Sequence, residues 1–164
     1  MRLMTIFQSI LVICLSVSAT SAQVPSTDQT QRALALLTGY EPSVKWNRSS
    51  AVKADFNSDG NDDFAFSGTE GERFVVAIVN NPIEDKPKHW TFRFSIVSRT
   101  PNANQICSGP VKIETGPPML IDGDKFRMPA EGKALFVGDA CGATVIAWNP
   151  DKKDFQLLRS NALM

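Results

Sequence analysis

The residues with the clearest capacity for chemistry form one short run of aspartate and asparagine, residues 55–63. Counted from Asp55 as position one, side-chain oxygens fall at every odd position through nine, and Gly60 stands at position six. The five oxygen-bearing residues are Asp55, Asn57, Asp59, Asn61 and Asp63. Ca²⁺ takes six to eight oxygen ligands, and a tight loop that turns every second side chain inward supplies them. The spacing therefore predicts a calcium site in loop 55–63.

The charge of this loop bears on the same prediction. The three carboxylates of Asp55, Asp59 and Asp63 would roughly neutralise a divalent cation, whereas without one they repel each other. Gly60 permits the sharp turn that a calcium loop needs at position six. The alternative is a polar turn that holds no metal, because Asp, Asn and Gly are also ordinary turn residues. The recurrence of donors around Gly60 favours calcium.

Two known kinds of calcium loop can be compared with this run. An EF-hand needs a bidentate Glu at position twelve, but Phe66 stands there, and the flanks 52–54 and 64–66 alternate as strands do. Residues 55–64 instead resemble the calcium loop of FG-GAP/VCBS-type repeats, which lies between two strands of a propeller blade. That resemblance implies ligation by the side chains of Asp55, Asn57, Asp59 and Asp63 and by the backbone carbonyl of Asn61.

A second segment is similar to the same group of proteins. Residues 148–155, a tryptophan followed by a turn with two lysines, are similar to the closing segment of small exported bacterial proteins that carry one such loop. A propeller needs several blades, and this chain has one loop of this kind. The resemblance therefore implies a single blade-like sheet and a bound ion rather than a reaction.

The other candidate residues give weaker indications of chemistry. His89 is the one histidine, no nucleophile elbow of the G-x-S-x-G type occurs, and zinc would have too few ligands. A pair of carboxylates for glycoside hydrolysis need not be local in sequence and stays open. The acidic pair at 122 and 124 reads as a hairpin turn. Trp46, Trp90 and Trp148 are expected in the core, with a ligand-binding face as the alternative.

The elements that would position the loop are mostly strands. Residues 28–38 have the pattern of one helix, with Ser26 or Thr27 as cap and Gly39 as its end. Alternation of apolar and polar residues predicts strands at 51–54, 64–66, 73–79, 90–97, 111–114, 134–137, 143–148 and 155–158. Residues 68–71 are expected to form a turn. The predicted fold is mainly β, an antiparallel sheet domain like a single propeller blade, with one N-terminal helix.

Residues 1–22 have the order of a secretory signal peptide, with a basic start, a short apolar run and small residues before the cut. Cleavage is expected after Ala22, with Ala19 as the alternative. The apolar run is too short to span a bilayer, and Ile13 before Cys14 disfavours a lipoprotein. Residues 23–164 are then one β-rich domain in the periplasm or outside the cell.

Two further properties follow from removing this segment. The chain has 17 basic and 17 acidic residues, and the segment contains one basic residue, Arg2, so the remainder carries a net charge of −1. Without a basic stripe, nucleic acid is not an expected partner. Two cysteines remain, Cys107 and Cys141, and an even number in an exported chain indicates a disulfide. Two separate buried thiols are the alternative.

The function that these features favour is that of a non-enzymatic calcium-binding domain that binds a protein or an envelope component. A more specific version is an inhibitor or immunity protein for a cell-wall hydrolase. The competing class is a calcium-dependent hydrolase that acts on cell-wall or polysaccharide substrates, and a third is a purely structural module. The identity of the partner and the oligomeric state stay open.

Overall fold

The computed structural model describes residues 27–83, 86–117 and 132–160. The predicted signal peptide, both of its possible cleavage points and the acidic pair at 122 and 124 lie outside these residues. Within them one helix, α1 (Thr27–Tyr40), precedes the strands. The strands are β1 (Lys45–Ala54), β2 (Asp63–Glu70), β3 (Arg73–Val79), β4 (His89–Val97), β5 (Gln105–Cys107), β6 (Lys112–Gly116), β7 (Ala134–Asp139), β8 (Gly142–Asn149) and β9 (Asp154–Ser160).

These strands form two sheets that pack face to face. The first has the order β1-β2-β3-β4-β5 and the second the order β6-β7-β8-β9. Every neighbouring pair is antiparallel except β4 and β5, which are parallel. The prediction of a mainly β, antiparallel domain with one N-terminal helix is confirmed. The strands lie in two sheets, where the sequence suggested one blade-like sheet.

The main core lies between the two sheets. Alternate residues of each strand point to one face of a sheet, and the inward set is almost entirely aliphatic or aromatic. Its buried members are Ala54, Phe56, Ala65, Val76, Ile78, Phe94, Ile106, Leu135, Val137, Ile146 and Phe155. Burying a side chain of the size of Phe or Ile contributes roughly 1.5–3 kcal/mol, so this layer holds the sheets together.

Helix α1 covers the outer face of the first sheet. Ala33 and Leu37, one turn apart, are fully buried and belong to a second cluster with Phe64 and Phe66 of β2. Beyond the helix, Arg93 of β4 pairs with Glu41 and Glu70. None of the helices in the described part of the chain is long and apolar enough to cross a membrane.

Two details of the strands differ from the sequence-based expectation. Strand β2 continues to Glu70, so residues 68–70 are strand, and the turn lies at Gly71 and Glu72. Glycine suits this strand position because a Cβ at residue 68 would lie 2.8 Å from both the carbonyl oxygen of Lys45 and Cγ1 of Val44. The expectation of a turn at 68–71 was therefore wrong for residues 68–70, and Gly68 instead allows β1 to approach closely. Strand β5 is only three residues long and was not predicted.

The sandwich has two ends that carry different chemistry. One end, here named the loop end, holds loop 55–63, the connection from β3 to β4, the turn from β8 to β9 and the start of β7. The other end, the disulfide end, holds Cys107 at the end of β5 and Cys141 in the turn from β7 to β8. A hydrogen bond of 2.9 Å from the N–H of Lys133 to the carbonyl oxygen of Asp55 joins the two sheets at the loop end.

Candidate metal centre

Loop 55–63 connects two antiparallel strands. Ala54 at the end of β1 is paired with Asp63 at the start of β2, so the loop leaves and re-enters the first sheet at the same place. The strand flanks expected from the sequence are present, and a helix-flanked EF-hand geometry is excluded. Positive φ angles at Ser58 (60°) and Gly60 (87°) allow the chain to turn within these few residues.

The first half of the loop is held by side-chain oxygens that accept backbone N–H groups. Asp55 accepts the N–H of Asp59 on Oδ1 at 3.1 Å and the N–H of Gly60 on Oδ2 at 3.0 Å. Asn57 Oδ1 also accepts the N–H of Asp59, at 3.0 Å, and Asp59 Oδ1 accepts the N–H of Asn61 at 2.8 Å. A carboxylate oxygen has two lone pairs, so Asp55 retains acceptor capacity after these bonds are made.

Asp63, the last of the predicted ligands, has no exposed surface. Its Oδ2 accepts the N–H of Phe56 at 3.1 Å and its Oδ1 accepts the N–H of Asn81 at 3.0 Å. Burial raises the pKa of Asp63 to about 7; the two backbone hydrogen bonds oppose this, and the negative charges of Asp59 and Asp55 add to it. Within the described ranges no Lys or Arg side chain pairs with Asp63.

Asp59 lies at the exposed side of the loop among amide groups. The Asn57 side chain donates from Nδ2 to Asp59 Oδ2 at 2.9 Å and also to Asn80 Oδ1. Burial acts to raise the pKa of Asp59, but hydrogen bonds from the Asn61 backbone and from the amides of Asn57, Asn61 and Asn80 lower it below 3.8 overall. Asp59 is therefore stabilised as an anion, in contrast to Asp63.

The loop offers oxygen donors, the type that calcium binds, but the oxygens of its three carboxylates do not converge on one point. In the described residues, one group of three acidic or sulfur side chains has ligand atoms that all lie within 4.8 Å of one another. This group consists of Cys107, Asp139 and Cys141. Asp55, Asp59 and Asp63 do not form such a group, as expected for three anions that repel one another. All the predicted ligand atoms are oxygens, the type that Ca²⁺ selects. A cation would have to bring these oxygens closer.

Two neighbours of the loop were not predicted from the sequence. Asn80, just after β3, faces Asn57, and Gly132, just before β7, packs on Ser58. A Cβ at Gly132 would lie 2.3 Å from Ser58 Oγ, so a larger residue there would require the Ser58 side chain to move. Both residues are far from the loop in sequence and reach it through strand pairing and sheet packing. No local motif marks them.

The sulfur and acidic group lies at the disulfide end and is closed to metals. Cys107 and Cys141 are bonded to each other, which confirms the predicted bridge, and bonded sulfurs are not the thiolates that bind metals. Asp139 accepts the N–H of Cys107 at 3.1 Å and the N–H of Cys141 at 2.7 Å. Arg159 holds the same carboxylate with bonds of 3.1 and 3.2 Å. Burial acts to raise the pKa of Asp139, but Arg159 and the two cysteine N–H groups lower it.

The remaining candidates have packing roles. The His89 ring stacks on Tyr40, with centroids 4.7 Å apart. Trp90 and Trp148 meet edge to face at 5.7 Å and pack against the core between the sheets, as expected. Trp46 packs against the separate cluster under α1. The three tryptophans therefore do not form one common face.

Comparisons with known proteins return no match. No protein-family model, no curated protein and no solved structure matches the chain. The resemblance of loop 55–63 to FG-GAP/VCBS-type loops stays a prediction.

Proposed function

We propose that this chain is an exported, non-enzymatic binding domain whose loop end is organised by one calcium ion. The observation that carries the proposal is the fully buried Asp63 carboxylate, which, among the residues that the structure describes, accepts hydrogen bonds from two backbone N–H groups and pairs with no basic side chain. A buried carboxylate without a positive partner is costly. A divalent cation held by loop 55–63 would supply the missing charge.

The ion would be held by Asp55, Asn57, Asp59, the Asn61 carbonyl and Asp63. When bound, it contributes positive charge and fixed coordination. The chain itself does the rest, because Asp63 links the start of the loop at Phe56 to the β3–β4 connection at Asn81. Fixing Asp63 therefore fixes two neighbouring connections at the loop end.

A binding role fits the remaining side chains better than catalysis does. General acid–base catalysis needs a proton acceptor within hydrogen-bond reach of its substrate, and His89 is stacked on Tyr40 instead. We propose that the partner is a protein or a component of the cell envelope, with an inhibitor or immunity protein for a cell-wall hydrolase as the specific form. The disulfide supports export to an oxidising compartment.

The calcium part of the proposal is tested by thermal unfolding of protein purified from cells that express the full chain. At a free calcium concentration of 100 times Kd, the ion stabilises the folded state by about 2.7 kcal/mol, which raises Tm by roughly 5–10 °C over its value in chelator. Asp59→Asn should lose most of that increase. Asp62→Asn is the matched control, because Asp62 lies in the same loop but outside the predicted ligand set and pairs with Lys53 at 3.3 Å.

The outcomes separate calcium from a simple polar turn. Equal melting of the wild-type protein in calcium and in chelator would show that loop 55–63 holds no calcium. An equal loss of the calcium increment in both variants would show a general charge effect rather than a ligand set.

The binding part is tested by capture from envelope extract with wild-type protein and Asp59→Asn, each with calcium and with chelator. The proposal expects one partner that the wild-type protein retains in calcium and loses in chelator. Release of sugar or peptide fragments from purified cell wall by the wild-type protein would instead indicate a calcium-dependent hydrolase.

A further inference from the structure

We infer that two copies of this chain associate through strand β9, which pairs antiparallel with the β9 of a second copy. The second sheets of the two copies, each of four strands, then become one continuous sheet. This contact is separate from the proposed calcium site and goes beyond the binding role proposed above. Its physical basis is that a strand at the edge of a sheet presents unpaired N–H and C=O groups, a template for another strand.

The two sheets have four edge strands, β1, β5, β6 and β9, and three of them carry features that disfavour further pairing. Strand β1 has an irregular register in its middle and exposed basic side chains at Lys45, Arg48 and Lys53. Strand β5 is only three residues long. Strand β6 carries the exposed charged side chains of Lys112 and Glu114. Bulges, short length and charges are the devices by which edge strands avoid pairing.

Strand β9 differs from the other three edges. It is seven residues long, contains no proline, and pairs with β8 in one uniform register. Its two charged side chains are both engaged within the chain. Arg159 is only 9% exposed and pairs with Asp139, and Asp154 accepts the N–H of Phe155 at 2.8 Å. Among the residues that the structure describes, no strand lies on the free side of β9.

The hydrogen bond at Phe155 indicates which backbone groups face the free side. In an antiparallel pair, residues that exchange hydrogen bonds with the neighbouring strand alternate with residues that do not. Because the N–H of Phe155 donates to the side chain of Asp154, Phe155 belongs to the set that faces away from β8. Leu157 and Arg159 follow at alternate positions and face the same way. Their N–H and C=O groups are the ones offered to a second strand.

The sequence of β9 is compatible with pairing to itself. With Leu157 on a twofold axis, Leu157 lies opposite its own copy, Phe155 lies opposite Arg159, and Gln156 lies opposite Leu158. This register brings no two like charges opposite each other, an arrangement that would destabilise the pair. The side chains of Phe155 and Leu157 pack against the core between the sheets, so the paired strands would continue this apolar face from one copy to the other.

The position of β9 in the sheet favours a second copy over another part of the same chain. Segment 118–131, which lies outside the described residues, joins β6 to β7, and β8 separates these strands from β9. A twofold contact uses the β9 edge of both copies and is therefore closed. The outer strand at each end of the joined sheet would be β6, whose edge carries Lys112 and Glu114. We therefore expect a dimer rather than a filament.

Sedimentation equilibrium over a range of concentrations tests this inference on protein purified from cells that express the full chain. The wild-type protein should be a dimer that dissociates on dilution. Gln156→Lys/Leu158→Lys places lysine opposite lysine at two cross-strand positions, and it should raise the dissociation constant at least about tenfold. Gln156→Glu/Leu158→Glu should do the same. An equimolar mixture of the two variants should form dimers again, because opposite charges then face each other.

Glu114→Lys is the matched control, because it changes the net charge by the same amount as the double lysine variant but lies on β6. It should dimerise within about twofold of the wild-type protein. If Glu114→Lys weakens the dimer as much as the double lysine variant does, net charge rather than β9 controls association, and the inference is overturned.

Two further results would overturn the inference. The first is a wild-type protein with the mass of one chain at about 1 mM, where even weak association is detected. The second is a dimer that persists unchanged in both double variants, because the contact then lies on another surface. If the double variants do not fold, hydrogen exchange of the wild-type protein decides. Exchange at the N–H groups of Leu157 and Arg159 should slow as protein concentration rises, and exchange that does not depend on concentration excludes β9 as the contact.

Discussion

The two ends of the sandwich each bury an aspartate, and they treat its charge in opposite ways. At the disulfide end, Asp139 is held by Arg159 and by the N–H groups of both bonded cysteines. At the loop end, Asp63 is held by two backbone N–H groups and, in the described ranges, by no basic side chain. The pKa of Asp139 is lowered, and that of Asp63 is raised to about 7.

This difference shows which end of the molecule is complete by itself. The disulfide end contains its own covalent bond and its own positive charge, so the charge of Asp139 is already balanced within the chain. The loop end gathers negative charge and oxygen donors, so its stability depends on what neutralises it. We therefore expect salts, pH and cations to act on the loop end far more strongly than on the disulfide end.

The largest effect is expected from Arg159→Met, which leaves Asp139 buried and without its positive partner. Breaking a buried ion pair in this way costs about 3–5 kcal/mol, and chemical denaturation should show this loss equally in calcium and in chelator. Replacing the carboxylate as well, in Arg159→Met/Asp139→Asn, should recover part of it. A loss that calcium reverses would mean that the two ends are not independent.

A smaller effect is expected from pH at the loop end in chelator. Because the pKa of Asp63 is raised from 3.8 to about 7, the folded state binds more protons than the unfolded state between these values. The free energy of unfolding should therefore fall as pH rises from 4.5 to 8, by about 2–4 kcal/mol for this group.

Asp63→Asn is the control for that pH dependence, because an amide does not titrate. Asp139 acts in the opposite direction and at lower pH: its stabilisation is present above 3.8 and is lost as pH falls through its lowered pKa. If the free energy of unfolding of the wild-type protein in chelator rises from pH 4.5 to 8 in parallel with that of Asp63→Asn, the contrast between the two ends is removed.

The smallest effect is expected from Lys53→Ala. Lys53 pairs with Asp62 at 3.3 Å, and both side chains are largely accessible, with exposures of 34% and 54%. Exposed pairs contribute at most about 1 kcal/mol, so the melting temperature should change little in calcium or in chelator. A large drop confined to chelator would show that Lys53 is the charge that neutralises the loop.

Much of the fold and of the candidate loop could be predicted from the sequence, because the signals for them are local. The odd-position oxygens around Gly60 mark the loop, and alternation predicted most strands, β3 at its observed bounds. The Cys107–Cys141 bridge followed from counting the cysteines and is present. The loop and the strands depend on residues that are close together in the chain, and two cysteines can form only one bridge with each other.

The partners of both buried aspartates could not be predicted, because strand register places them. Asn81 reaches Asp63 from 18 residues away, and Arg159 reaches Asp139 from 20 residues away. Both lie in stretches without a distinctive motif. The short strand β5 lacks the length at which alternation becomes visible, and the contact between Gly132 and Ser58 arises from sheet packing, which no local motif marks.

Hydrogen exchange of the wild-type protein, measured in calcium and in chelator at pH 7.5, follows both ends at once and shows whether calcium acts on the loop end alone. We expect calcium to slow exchange at the loop end, at the N–H groups of Phe56, Asp59, Gly60 and Asn81, and to leave exchange at the N–H groups of Cys107 and Cys141 unchanged. Equal protection at both ends, or no change at the loop end, would contradict this expectation.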